Sequence, residues 1–226
     1  MQQIDLAIFD LDHTLISVDS SALWFEHLLA LGWVPAEQQA EHQQLMQDYE
    51  HSSLDMQAYL RLSLAPLIGR TEQQVALMVQ EFLRQQVLPK LYPQVPELLA
   101  WHRQQGHKLL LLSASEDFLV EPWQQLLPFD AAIGVETKRD QGRFTGEAGA
   151  RISYGPGKIT ALEQWLAQRG LQLGASYFYS DSHNDLPLLE RVTHPRPTHA
   201  NGQLRQQAAD KGWPLCQLQE RQSFAY

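Results

Sequence analysis

The chain contains four short segments rich in apolar residues, and each one runs into a cluster of polar residues: Ile4 to Phe9, Lys108 to Leu112, Ala131 to Val135 and Tyr177 to Tyr179. Apolar runs of this length, bounded by turn chemistry, are the pattern of strands buried on both faces of a parallel sheet. Helical periodicity follows in the intervals. Val95 lies in one predicted helix, from Pro93 to Gln105, with Gly106 as its C-terminal cap. Lys158 to Gln168 forms another, with Gly170 just beyond it. Strands alternating with helices predict an α/β fold, a doubly wound parallel sheet.

One interval breaks the alternation. Roughly a hundred residues separate Asp10 from Lys108, against about 30 for a whole strand-helix-strand unit. Ser20 to Leu31, Ala36 to Tyr49, Leu54 to Leu67 and Glu72 to Leu88 all read as helices, and Thr71 with Gln74 matches a capping box. The glutamine-rich stretch from Gln38 to Gln47 carries Ala40, Leu45 and Met46, which favours an exposed helix over low complexity. The expected organisation is therefore an α/β core of residues 1–16 and 90–226 with an inserted helical bundle at 17–89. Further on, Gly142 to Gly146 has hairpin-like turn chemistry, Gln203 to Lys211 reads as a helix, and a last strand is predicted near Pro214 to Leu218.

In such sheets ligands bind beyond the carboxyl ends of the strands. The first run ends in Asp10-Leu11-Asp12-His13-Thr14, the second in Ser113-Ala114-Ser115, and the fourth in Ser180-Asp181-Ser182-His183-Asn184-Asp185, while Lys158 starts a helix before the fourth. Taken singly, Asp10 and Asp12 could be a helix cap and a turn residue, Ser113 a helix cap, and Lys158 a solvated helix start. Together they would crowd carboxylates into one crevice, which requires a cation or a ligand.

This ordered set resembles the haloacid dehalogenase superfamily, and the helical insertion is similar to its C1-capped, phosphoserine-phosphatase-like branch. Ser180 to Glu190 is also similar to bacterial members described as histidinol-phosphatases. The resemblance implies a phosphatase acting on a small phosphate ester. It makes Asp10 the nucleophile and Asp12 the general acid and base. Mg²⁺ would be held by Asp10, the main-chain carbonyl of Asp12, and Asp181, with Asp185 behind them or acting through water. Ser113 and the amides after it, including Ala114, would bind phosphate oxygens together with Lys158, and Asn184 would touch the phosphate.

For substrate, Asp19 falls where phosphoserine phosphatases carry a glutamate that meets the substrate ammonium. Ser63 falls near the position of their carboxylate-binding arginine, with Arg61 two residues away. An amine without a carboxylate fits this pattern, and histidinol phosphate is such a compound; phosphoserine, transfer to an alcohol acceptor, and a catalytically silent phosphate-binding protein are the alternatives. Thr14 is expected to shape the loop, and the roles of His13 and His183 stay open.

Other classes fit poorly. The net charge of −9 argues against broad nucleic-acid binding. The single cysteine, Cys216, allows no disulfide framework or thiolate cluster. No stretch approaches the ~20 apolar residues of a membrane span, and no basic leader opens the chain, so a cytoplasmic location is expected. Gly155 to Thr160 fails as a nucleotide loop, because Ile159 stands where Ser or Thr should follow the lysine. The sequence does not indicate an oligomeric state.

Overall fold

The computed structural model describes residues 2–51 and 53–219; residues 220–226 of the predicted core segment lie outside the described residues. In chain order the elements are β1 (Gln2–Phe9), α1 (Ser20–Ala30), α2 (Gln39–Glu50), α3 (Met56–Leu64), α4 (Glu72–Phe82), α5 (Val95–Gln104) and β2 (Lys108–Glu116). There follow α6 (Asp117–Val120), α7 (Trp123–Leu126), β3 (Ala131–Val135), β4 (Thr137–Asp140), β5 (Arg143–Ala148) and α8 (Gly157–Gln168). The chain continues through β6 (Leu171–Ser180), α9 (Leu186–Leu189), β7 (His194–Pro197) and α10 (Gly202–Lys211).

Five parallel strands form the sheet in the order β3-β2-β1-β6-β7, so the fold is the α/β arrangement expected. β1 sits at the centre because it can bury both faces. Ala7 and Phe9 join the apolar cluster on one side, while Leu6 and Ile8 join the cluster on the other with Phe178, Leu162 and Trp165. Strand order reverses beside β1, which opens a crevice at its carboxyl end. Phe9 pairs with Leu111 on one side and Tyr179 on the other, so Asp10, Ser113 and Asp181 emerge next to one another.

Five α-helices lie between β1 and β2 among the described residues; the first four form the insertion, and its apolar faces extend the first cluster through Trp24, Phe25, Leu60, Val79 and Phe82. The predicted capping box is present: Gln74 N–H donates to Thr71 Oγ1 at 3.1 Å, and Thr71 N–H to Gln74 Oε1 at 3.0 Å. The helix predicted to run to Leu88 instead ends at Phe82 and unwinds through Leu83–Val87 into Leu88–Lys90, where Pro89 cannot supply the next helical N–H.

Two strand expectations need correction. The fifth strand is β7, whose two prolines suit a sheet edge and hide it from strand propensity, whereas the segment near Pro214 to Leu218 contributes one bridge, Cys216 to Thr198. The hairpin turn is Gln141-Gly142, both with positive φ (48° and 73°), so Gly142 to Gly146 mostly forms the second strand, β5. This hairpin docks on the loop before α4, with Gly69 N–H donating to Phe144 O and Glu72 N–H to Gly142 O.

Candidate active site

The floor of the crevice is built from the strand ends. Asp10 is buried, and the Lys158 ammonium, at the start of α8, donates to its Oδ1 at 2.8 Å. The same ammonium reaches Asp185 Oδ2 at 2.6 Å, and Asp185 also accepts from Ser180 Oγ at 2.6 Å. Thr14 ties the first loop to the fourth: its hydroxyl donates to Asp181 Oδ1 at 2.8 Å and accepts from Asp181 N–H at 2.9 Å. Asp12 is held by Ser20 N–H at 2.7 Å and by Ser115 Oγ at 2.6 Å, with Ser113 Oγ at 3.5 Å from the same oxygen. Ser113 is in turn fixed by Ser153, which donates to its carbonyl at 2.6 Å.

The roof comes from the inserted helices. A cavity of about 40 Å³ is lined below by Asp10, Asp12, Ser113, Ala114, Ser115 and Asp181, and above by Asp19, Ser21, Met46, Tyr49, Leu54, Met56 and Tyr59. That is room for about three water molecules. A second hollow of about 830 Å³ shares His13, Asp19, Met46, Tyr49 and Asp181 with it and is lined further by His51, His183, Asn184 and His199. The small cavity thus stands behind a larger vestibule.

The sequence reading puts Asn184 at the phosphate, but its side chain faces the vestibule and donates to the Tyr49 carbonyl at 3.3 Å, joining α2 to the floor. Asp185, expected behind the other carboxylates, contacts Lys158 directly. Asp19 lies on the cavity wall and also caps α1, accepting from Ala22 N–H at 2.8 Å. Ser63 is buried beside Glu116, and Arg61 is exposed away from the cavity. His13 adopts positive φ, 52°, at the turn between Asp12 and Thr14.

Burial pushes the Asp10 carboxyl well above its usual range; Lys158 opposes this, and Asp185 and Asp181 reinforce it. Asp181 is pushed up to about 6, chiefly by burial, with Thr14 and His13 pulling it back. Burial works against the Lys158 ammonium, yet Asp10 and Asp185 outweigh it and raise its pKa. Asp10 and Asp185 thus share one ammonium while Asp181 has none, and the charge balance of the floor calls for another cation. Its donors are oxygens, the chemistry that suits a hard divalent ion. Among the described residues no group of three or more metal-ligating side chains is arranged around one point, so such an ion would need main-chain carbonyl and water oxygens beside Asp10 and Asp181.

Three parts of the site escape sequence reasoning. Ser115 holds Asp12, although only its place in the Ser-Ala-Ser run hinted at this. Glu116 is buried at the end of β2 behind Ser21. Tyr49 and Tyr59 form walls of the cavity and carry no local signature in the sequence.

Comparison with known proteins agrees with this geometry. A Neisseria meningitidis protein named histidinol-phosphatase is 39% identical over 217 residues, covering 93% of this chain and 97% of its own. The crystal structure of a Bordetella pertussis protein of unknown function superposes with a TM-score of 0.87 at 32% identity, over 95% of this chain and 99% of the other. A substrate-bound phosphoserine phosphatase shares the fold, with a TM-score of 0.69 at 16% identity over 97% of this chain and 95% of the other. The sequence pattern described as haloacid dehalogenase-like hydrolase matches residues 7–190. With its crevice at the switch point of β1 and its Asp10, Asp12, Ser113, Lys158 and Asp181 gathered there, this chain belongs to the haloacid dehalogenase-like hydrolase family.

Proposed function

We propose that the chain is a Mg²⁺-dependent phosphatase that hydrolyses a small phosphomonoester bearing an amine, with histidinol phosphate as the substrate, through a phosphoryl group carried on Asp10. One observation carries this reading: Asp10, Asp12, Ser113 and Asp181 line one cavity, with the Lys158 ammonium 2.8 Å behind Asp10.

In the reaction, an Asp10 oxygen attacks phosphorus while the bond from phosphorus to the ester oxygen breaks, and Asp12 gives its proton to the departing alkoxide. Water then attacks the phosphorus of the aspartyl phosphate; Asp12 takes a proton from it, and inorganic phosphate leaves. The Ser115 hydroxyl can donate to Asp12 when it is ionised and accept from it when it is protonated, so Asp12 stays oriented through both halves. Lys158 keeps positive charge beside Asp10 while negative charge builds on the phosphoryl oxygens, and Ser113 and the following amides can donate to those oxygens. Mg²⁺, held by Asp10, Asp181 and the Asp12 carbonyl, would supply the remaining positive charge.

Substrate choice falls to the roof of residues 17–89. Among the described residues the cavity walls carry the carboxylates of Asp10, Asp12, Asp19 and Asp181 and no Lys or Arg, which favours an ammonium and disfavours the carboxylate of phosphoserine. The Neisseria relative's name points the same way. The small cavity would take the phosphate end of the ester, and the adjoining vestibule has room for the rest.

The test is steady-state kinetics on histidinol phosphate, phosphoserine and p-nitrophenyl phosphate, with Mg²⁺ and with EDTA. Turnover should vanish in EDTA and return with Mg²⁺. Asp10→Asn should lower kcat on every ester by at least about 10³-fold, since the covalent route is lost. Retained turnover in Asp10→Asn, or a larger kcat/KM for phosphoserine than for histidinol phosphate, would overturn the mechanism or the substrate respectively. Product analysis with added alcohols separates hydrolysis from transfer.

A further inference from the structure

Glu116 has no part in the chemistry above, yet it is one of the most deeply buried carboxylates in the chain, at 1% exposure. Its neighbour Asp117 is also buried, at 3% exposure, but is neutralised by Arg139, whose guanidinium lies 2.6 Å away. Asp10 and Asp185 share Lys158. Among the described residues no such ion pair reaches Glu116; its partners are hydroxyls and its own backbone N–H. Ser21 Oγ donates to Glu116 Oε2 at 2.9 Å, and Ser63 lies against the same carboxyl group. A carboxylate removed from water without a cation is unfavourable, and a chain keeps one only when something else compensates.

The position of Ser21 shows what that compensation can be. Ser21 lines the inner cavity on the same wall as Asp19 and Tyr59, and the Tyr59 hydroxyl adjoins it. The single hydroxyl proton of Ser21 is engaged by Glu116, so its oxygen can only accept, from the Tyr59 hydroxyl on one lone pair and toward the cavity on the other. The wall therefore presents the Asp19 carboxylate and a hydroxyl acceptor backed by a second buried negative charge.

We propose that Glu116 is a specificity-determining positioning residue: acting through Ser21, it completes with Asp19 an anionic seat for the ammonium group of the substrate. This rests on the phosphatase reading and on an amine-bearing substrate. A cationic ester relieves the isolated charge of Glu116 on binding, while a neutral alkyl or aryl phosphate gains nothing from it. Glu116 therefore contributes to discrimination and leaves the phosphoryl-transfer step untouched.

The experiment compares wild type and Glu116→Gln, both loaded with Mg²⁺, on histidinol phosphate and on p-nitrophenyl phosphate. Glutamine keeps an acceptor for Ser21 and removes the charge. The expected result is a KM for histidinol phosphate raised about tenfold, the worth of one charge-assisted contact, with kcat within about twofold. Neither constant should change for p-nitrophenyl phosphate. Ser21→Ala should show the same split, and it serves alone if Glu116→Gln does not fold. Equal changes on both esters, or none on either, would overturn the inference while the phosphatase reading stands. A wild-type enzyme inactive on both esters with Mg²⁺ would overturn that reading, and this inference with it.

Discussion

The floor and the roof of the cavity treat buried charge in opposite ways. On the floor, Asp10 and Asp185 are bound to one ammonium, and Asp181 is bonded to Thr14, so each carboxylate has a fixed partner supplied by a strand end or by α8. On the side that meets the roof helices, Asp19 and, at the end of β2, Glu116 have hydroxyl and amide partners and no Lys or Arg paired to them among the described residues. A region that carries out one reaction on every substrate can fix its carboxylates within its own chain and leave the remaining charge to a metal ion that every turnover shares. A region that selects a substrate keeps a deficit for the ligand to fill.

The largest test of this contrast is Lys158→Met, which keeps the length and removes the charge. Two carboxylates are then buried without their cation, and stability should fall by about 3–5 kcal/mol, read as a lower midpoint in urea. In protein still folded, kcat/KM should fall by about the same factor, roughly 10³, for histidinol phosphate and p-nitrophenyl phosphate. A loss confined to one ester would move Lys158 from the floor to the selecting wall.

Ser115→Ala is a milder break in the floor. It removes the 2.6 Å bond to Asp12 and leaves the 2.7 Å bond from Ser20 N–H. A charge-assisted hydrogen bond is worth about 1.5–3 kcal/mol, so kcat should fall roughly tenfold to a hundredfold on either ester with KM little changed. If KM rises instead, Ser115 holds the phosphate and not the acid.

The same contrast explains what could be read from the sequence. The floor was legible because it hangs on backbone: strands that must be apolar on both faces announce themselves, and the residue ending each one is fixed in space by sheet register. Asp10, Ser113 and Asp181 were therefore found together. Bonds between side chains across the crevice were not legible. Asn184 sits in the run that carries Asp181, and only the three-dimensional path of α2 shows that its amide meets Tyr49. The roof helices were found by their periodicity, but periodicity marks the apolar stripe and not which of its members face a cavity. Nothing in the sequence separates the cavity-lining Tyr59, Leu54 and Met56 from ordinary core positions, and β7 was hidden by its prolines at the sheet edge.

The smallest predicted effect concerns the deficit itself. Burial raises the Asp19 carboxyl to about 7, and the Asp12 charge adds to the shift. In the unfolded chain the same group titrates near about 3.9. The folded state therefore holds this proton more tightly, and stability falls as pH rises between those values, then levels off. Asp19→Asn keeps an N-cap for α1 and does not titrate. Below pH 4 variant and wild type should denature together; by pH 8 the variant should be more stable by about 1 kcal/mol, a value kept small because Asp19 borders a hydrated cavity. Thermal denaturation across that pH range without substrate measures the difference. A constant offset, or a variant less stable at pH 8, would mean that Asp19 is satisfied by its own helix and that the roof carries no deficit for an amine to fill.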